Sequence, residues 1–439
     1  MAGGTFDKAA GKVRPGTYIN FESRSQTVLS SSERGIVVMP LINHSYGPEK
    51  TFIPLSASAP DAEYAKLGYS VYDDIPAMLL IREAFKCALT VIVYIPKTGA
   101  KAAGTGGGLT AQAKYGGSRG NSLSFSVTEN PVAGFDVNIY LDGSAVEKYE
   151  GISSVSALAD SKYIDFTGES ISETAGVSLT GGDNGETTNA DIASFIEGVE
   201  SVRFNTAAFP LEEASLQSAM KTKIRYMRES MGRGVKAVIP DFKADYEGVI
   251  NVTNSVIVDG RKLTHAQTCA WVAGADASAS GAQSNTYKIY EGADGIVDPK
   301  THEQAVSAIN NGEFFFSYSE QGNVVAEYDI NSLTTFTDKK GKPYSKNKII
   351  RVLDELAESI RLNFPPNKYV NSELGWDIMD GVGRTILKQF ADSGAIRNVD
   401  YDSDFSVDRE RSKSDFAYFN VAVEPVDSTE KLYFTVTTR

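Results

Sequence analysis

Histidine and cysteine are scarce in this chain. Three histidines (His44, His265, His302) and two cysteines (Cys87, Cys269) are spread over 439 residues. A structural zinc site uses four ligands in closely spaced pairs. His265 and Cys269 stand four apart and could share a helix face, but no second pair accompanies them, so both read as packing residues and no metal ligand is assigned. Two distant thiols give no disulfide framework. Each lies in an apolar stretch, FKCALTVIV and TCAWVAG, and reads as a buried small hydrophobe. No apolar run approaches the roughly 18 residues of a membrane span. The opening MAGGTFDKAAG has no apolar core of a secretory signal. The expectation is a chain made in the cytoplasm, without membrane insertion. Basic excess is also missing. With 43 Lys and Arg against 56 Asp and Glu, the net charge is −13, which argues against nucleic acid as the main partner because phosphate binding needs a basic face.

Catalytic motifs are equally thin. YGGSRGN contains G-x-S-x-G from Gly116 to Gly120. The motif works at a strand-to-helix turn, whereas here a linker precedes Ser118 and the strand SLSFSV follows, so a β-turn is the better reading. GTGGG lacks the Lys-Ser or Lys-Thr of a P-loop. GGDNGE and GADG lack the spaced Asp ladder of a calcium loop. The basic run KTKIRYMRESMGRGVK reads as a solvated helix face rather than a partner contact. No catalytic residue and no cofactor is assigned, and the chain is not expected to be an enzyme.

What is present is strand-forming and core-forming sequence. Hydrophobic residues make up 41%, with 21 Tyr and 21 Phe, so a packed core is expected rather than disorder. GIVVMPLI (Gly35–Ile42) and ALTVIVYIP (Ala88–Pro96) read as strands buried on both faces. Between them IPAMLLIREAFKCA reads as a helix opening at Pro76, which starts an α/β layer. TGAKAAGTGGG (Thr98–Gly108) then reads as a flexible linker. Beyond it, Leu123, Phe125 and Val127, then Phe135, Val137, Ile139 and Leu141, alternate with polar residues, and Asp142-Gly143 is a hairpin turn. The α/β pattern resumes with LEEASLQSAMKTKIRYMRESMG, GVKAVIP, a helix capped by Thr264, and a second helix opened by the Thr301/Gln304 capping box. GEFFFSYS and VVAEYDI read as a hairpin. In the last part, Ile349, Leu353, Leu356, Ile360 and Phe364, and then Leu374, Ile378, Val382, Ile386 and Phe390, recur at helical spacing. FNVAV and KLYFTV follow as alternating strands.

The fold class expected is therefore multidomain α/β (mixed α+β). An N-terminal extended arm (1–30) precedes a discontinuous α/β domain (31–98 and 190–335) carrying an inserted β-sandwich (99–189). A C-terminal α+β domain (336–428) follows, and a C-terminal arm strand (429–439) ends the chain. Both ends carry strand-like sequence, KVRPGTYINF and EKLYFTVTTR. Termini are usually frayed unless something ties them down, so these end strands call for a partner.

The ordered set MAGGTFDK…KVRPGTYINF, AKYGGSRGN, FNTAAFP, AWVAGADA…SNTYKIYEGA, KNKIIRVLDEL and PVDSTEKLYFTV resembles the tail sheath proteins of contractile phage tails. The likeness is to those of Gram-positive phages, their defective prophages and R-type bacteriocins, and it runs the length of the chain. The resemblance implies a structural subunit that polymerises as a six-start helix of stacked hexameric rings around an inner tail tube protein. It implies contraction that drives the tube through a cell envelope. It also implies contacts with baseplate and tail-terminator proteins, and a particle assembled in the host cytoplasm and released by lysis. The C-terminal domain is implied to face the tube. The two arms are implied to leave their own subunit and add strands to a sheet in the C-terminal domain of neighbours. Carried onto this sequence, the N-terminal strand spans about Arg14 to Phe21, with Tyr18, Ile19 and Phe21 as donors. The C-terminal strand spans about Glu430 to Val436, with Leu432, Phe434 and Val436. Ser23–Ser32 is expected to act as a flexible linker. The alternative from another class is a surface-layer or adhesin-like structural protein.

Overall fold

The computed structural model describes residues 2–4, 16–18 and 34–438. The chain divides into two units: a larger one of 32–358, 390–399 and 423–439, and a smaller one built mainly from 359–389 and 400–422.

The larger unit is organised by a seven-stranded sheet in the order Glu313–Phe314, Val249–Val252, Lys236–Pro240, Thr206–Ala208, Ile36–Pro40, Thr90–Tyr94, Phe52–Ser56. All neighbours are parallel except the last pair. The inner strands are buried along most of their length, as continuous Val/Ile/Ala runs covered on both faces must be. Helices Pro76–Phe85 and His265–Ser278 cover one face, and Asn189–Gly198 and Ala214–Glu229 the other. Helix His265–Ser278 is apolar nearly all round and buried from Thr268 to Ala277. Gly274 allows its contact with the neighbouring helix, because a Cβ there would lie 2.5 Å from the Ala84 carbonyl oxygen. The anticipated Thr301/Gln304 capping box forms, and the expected Thr264 cap is itself a capping box with Gln267.

The inserted segment forms a four-stranded sheet (Ser144–Ile152, Phe135–Leu141, Leu123–Glu129, Thr174–Ser178) and a three-stranded one (Ile164–Gly168, Leu109–Ala113, Ala103–Gly106). The alternating residues Leu123, Phe125, Val127, Val137, Ile139 and Leu141 meet in one core with Leu109 and Ile164. Asp142 and Gly143 both take positive φ, as a two-residue hairpin turn requires.

The linker expectation for Thr98–Gly108 is corrected. Ala103–Gly106 pairs with Leu109–Ala113, and the glycines form its turn, with φ of +60° and +75° at Gly107 and Gly108. The entry and exit segments of the insertion are also tied down. Glu49 accepts from the Thr98 amide (3.0 Å) and hydroxyl (2.9 Å). Gly99 passes so close to the exit segment that a Cβ would lie 1.9 Å from the Asp183 carbonyl oxygen. Arg119 donates to the Gly68 carbonyl at 2.7 Å and forks onto Asp142 at 2.8 and 2.6 Å. Glycine here serves close backbone packing rather than flexibility.

In the smaller unit an aromatic cluster of Phe364, Tyr369, Phe405 and Phe419 forms the packing centre. It joins the helical part to the hairpin Phe405–Lys413/Phe416–Val421. The Val407 amide donates to Asp380 Oδ1 at 2.7 Å. A Cβ at Gly383 would lie 1.9 Å from Phe405 Cδ1. The apolar stripe expected on helix Glu373–Asp392 is partly wrong. Val382 and Ile386 are buried, but Leu374 is 72% and Ile378 51% exposed. The buried face runs through Gly375, Met379, Val382, Gly383, Ile386 and Leu387 instead, because the glycines let the hairpin and the preceding loop approach there.

Candidate strand-exchange segments

The last residues fall into two parts. From Val423 to Glu430 the backbone is held. Glu424–Pro425 pairs with Ile396–Arg397, and the Val426 amide donates to the Ala395 carbonyl at 2.8 Å. The Lys346 ammonium contacts Asp427 at 2.5 Å and Glu430 at 2.7 Å. Glu430 also accepts from the Thr286 hydroxyl at 2.9 Å. From Lys431 to Thr438 every residue is exposed and no strand forms. Leu432, Phe434 and Val436 are 67, 83 and 86% exposed. These three sequence-predicted positions thus sit on one unpaired stretch whose apolar side chains have no cover within the described chain. Strand pairing needs a second backbone, and Lys431–Thr438 pairs with none among the described residues.

At the other end, the backbone of Gly16–Tyr18 forms a short parallel pair with Ala2–Gly4. Tyr18 lies on that strand. Arg14, Ile19, Phe21 and the proposed linker Ser23–Ser32 lie outside the described residues.

The hairpin of the smaller unit is a two-stranded sheet with neither outer edge paired among the described residues. Phe416, Tyr418 and Val421 on its second strand are exposed. Open edges of this kind accept further strands.

Other candidates resolve into structure. Ser118 opens a short 3₁₀ turn before strand Leu123–Glu129, as the turn reading expected. His265 pairs with Asp241 at 2.6 Å, and that hydrogen bond raises the imidazole pKa. Cys269 is buried and Cys87 half-buried, short of the full burial expected. Among the described residues no cluster of His, Cys, Asp or Glu could hold a metal ion, and no helix is long and apolar enough to cross a membrane.

Sequence reasoning missed a buried charge cluster. Asp276 receives Lys236 Nζ and Arg351 Nη1, both at 2.7 Å, and the Thr206 hydroxyl at 2.8 Å. Arg351 Nη2 reaches Asp329 at 2.6 Å. All four charged groups are almost fully buried. Burial raises the Asp276 pKa, but Lys236 and Arg351 outweigh it and hold the carboxyl well below its usual range. The basic run is accordingly not a solvated face throughout: Lys236 is buried, and Arg228 forks onto Asp354 at 2.8 Å twice. The signal was the acidic residue inside the apolar helix AWVAGADA. Residues 347–358, which carry Arg351, group with the larger unit.

Three models of the phage tail sheath protein family match this chain: the beta-sandwich domain at 97–184, the central domain at 185–332 and the C-terminal domain at 339–439. The Phage-like element PBSX protein XkdK of Bacillus subtilis is 35% identical over 99% of each chain. The sheath tail protein from Desulfitobacterium hafniense, known from a crystal structure, is 37% identical, covers 96% of this chain and 99% of its own, and superposes with a TM-score of 0.81. The helical sheath of the anti-feeding prophage in its contracted state shares the fold at 12% identity and a TM-score of 0.55, covering 98% of this chain and 100% of its own. The chain belongs to the phage tail sheath protein family. Membership replaces the surface-layer or adhesin-like alternative.

Proposed function

We propose that this sheath protein assembles by exchanging its end strands, and that copies joined in this way form a helix of stacked hexameric rings around an inner tube. The observation that carries the reading is that one chain holds both a strand-like segment and an open-edged hairpin, neither with a partner strand among the described residues. The donor is Lys431–Thr438 with exposed Leu432, Phe434 and Val436; the acceptor is the open-edged hairpin Phe405–Lys413/Phe416–Val421. A contact between different surfaces of identical copies need not close, and then builds a helix. Main-chain hydrogen bonds supply affinity in such β-augmentation, and alternate side chains set register. The N-terminal strand, with Arg14, Tyr18, Ile19 and Phe21, is the second donor.

Contraction requires two packings of the same subunits separated by a barrier, the extended one being metastable. Subunits then shift as bodies while the arms stay paired. The tube-facing role of the C-terminal domain, the contacts with baseplate and terminator, and assembly in the host cytoplasm with release by lysis complete the proposal. Energy is stored at assembly, so no nucleotide takes part.

The test is electron microscopy of negatively stained full-length protein beside a chain lacking residues 1–22. Hollow tubes from the first and dispersed particles from the second support strand exchange. Tubes from the truncated chain that contract as an intact mesh would sink the N-terminal half of the proposal.

A further inference from the structure

We propose that Lys346 and Glu430 form a clasp that fixes where the donated C-terminal strand begins, and so sets its register in the neighbouring subunit. The inference rests on the strand-exchange reading above and adds positioning residues to it.

The observations lie in the larger unit. Lys346 holds both Asp427 (2.5 Å) and Glu430 (2.7 Å), and its ammonium sits over the Tyr328 ring, 5.5 Å from the centroid. Glu430 uses its other oxygen for Thr286 at 2.9 Å, and Lys348 Nζ donates to Ser428 at 3.2 Å. Thr286 Oγ1 in turn accepts from the Asp329 amide at 3.0 Å, and Asp329 is bound to buried Arg351. The root of the arm is therefore wired to the buried charge cluster. At Lys431 these bonds stop and full exposure begins.

The donated strand thus starts at Lys431, one residue later than sequence reading placed it. Eight extended residues, Lys431–Thr438, reach about 26 Å at ~3.3 Å per residue. Along them Leu432, Phe434 and Val436 share one face and Tyr433, Thr435 and Thr437 the other. A slip of one residue exchanges these faces. A fixed root prevents that slip; a loose root permits it.

The test uses the full chain and scores tube yield by electron microscopy. Deleting 431–439 checks the underlying reading: tubes that persist would overturn strand donation itself. With that deletion inactive, the clasp is tested by Lys346→Met and Glu430→Ala, each expected to lower tube yield about tenfold, a ~1.4 kcal/mol effect, while Lys346→Arg keeps it. Register is read by insertions between Glu430 and Lys431, which leave the clasp intact. One inserted glycine should abolish tubes, and two should restore them because face parity returns. In the Lys346→Met background the one- and two-residue insertions should behave alike. Wild-type yield from Lys346→Met, or from the single insertion in the wild-type background, would overturn the clasp while leaving strand donation standing. Hydrogen exchange on the soluble chain gives an assembly-independent reading. Amides up to Glu430 should exchange more slowly than 431–438, with the step erased by Lys346→Met; a wild-type chain without that step contradicts the proposal.

Discussion

Two buried residues contribute to how this chain responds to acid. His44 is almost fully buried, and burial pushes its imidazole down to about 4 against the opposing backbone bonds of Tyr46 and Leu67. The folded state therefore refuses a proton that the unfolded chain accepts near pH 6.5. Its contribution is fully present above pH ~6.5 and is lost as pH falls toward 4, on the order of 3 kcal/mol over the window. Asp276 acts in a lower window. Its carboxyl is held down in the folded chain, so its stabilisation is present above the unfolded value of about 3.9 and is lost as pH falls below it. Urea titrations between pH 4 and 7 should show stability rising with pH, and His44→Gln should flatten that slope. Arg351→Ala should cost about 3–5 kcal/mol, because it leaves Asp329 buried beside fewer donors; the midpoint of denaturant unfolding measures it. Neither effect was legible in the sequence. His44 and Asp276 became important only when tertiary packing removed their water, and local pattern carries no record of that.

At the scale of elements, local signals read well where local physics decides. The capping boxes, the Asp142-Gly143 turn, the period-two strands of the sandwich and the apolar runs of the parallel sheet all reflect interactions within a few residues. The misreadings arise where a partner element decides. Thr98–Gly108 looked like a linker because glycine-rich sequence usually is, yet Gly99 and the Gly107-Gly108 turn are required by close backbone contact and positive φ. The stripe Leu374–Ile378 looked like core because it is apolar at helical spacing, yet Gly375 and Gly383 turn the other face inward. Two predictions belong here. Gly274→Ala forces a methyl to within 2.5 Å of the Ala84 carbonyl and should cost about 1–3 kcal/mol through overpacking, read as a lowered thermal midpoint. Glu430→Ala, in contrast, touches a part-exposed ion pair and should leave the midpoint within about 1 kcal/mol of wild type while impairing assembly.

For the whole molecule, the informative feature is what a single chain leaves unfinished. The core of the larger unit is closed, with apolar layers on both faces of its sheet. Its end segment is not: Leu432, Tyr433, Phe434 and Val436 stand in water. The hairpin Phe405–Lys413/Phe416–Val421 likewise leaves two edges open among the described residues. That the ends are strand-like was legible from alternation alone. The proposal that they pair between copies came from the family resemblance, since a strand pattern names no partner. The measurement that bears most directly on this account is a cryo-electron reconstruction of the assembled full-length chain. The account predicts continuous density from Glu430 through Arg439 that leaves its own subunit and pairs with the hairpin Phe405–Lys413/Phe416–Val421 of a neighbour, Leu432, Phe434 and Val436 on one buried face. A C-terminal segment folded back on its own subunit, with that hairpin's edges still open, would contradict it.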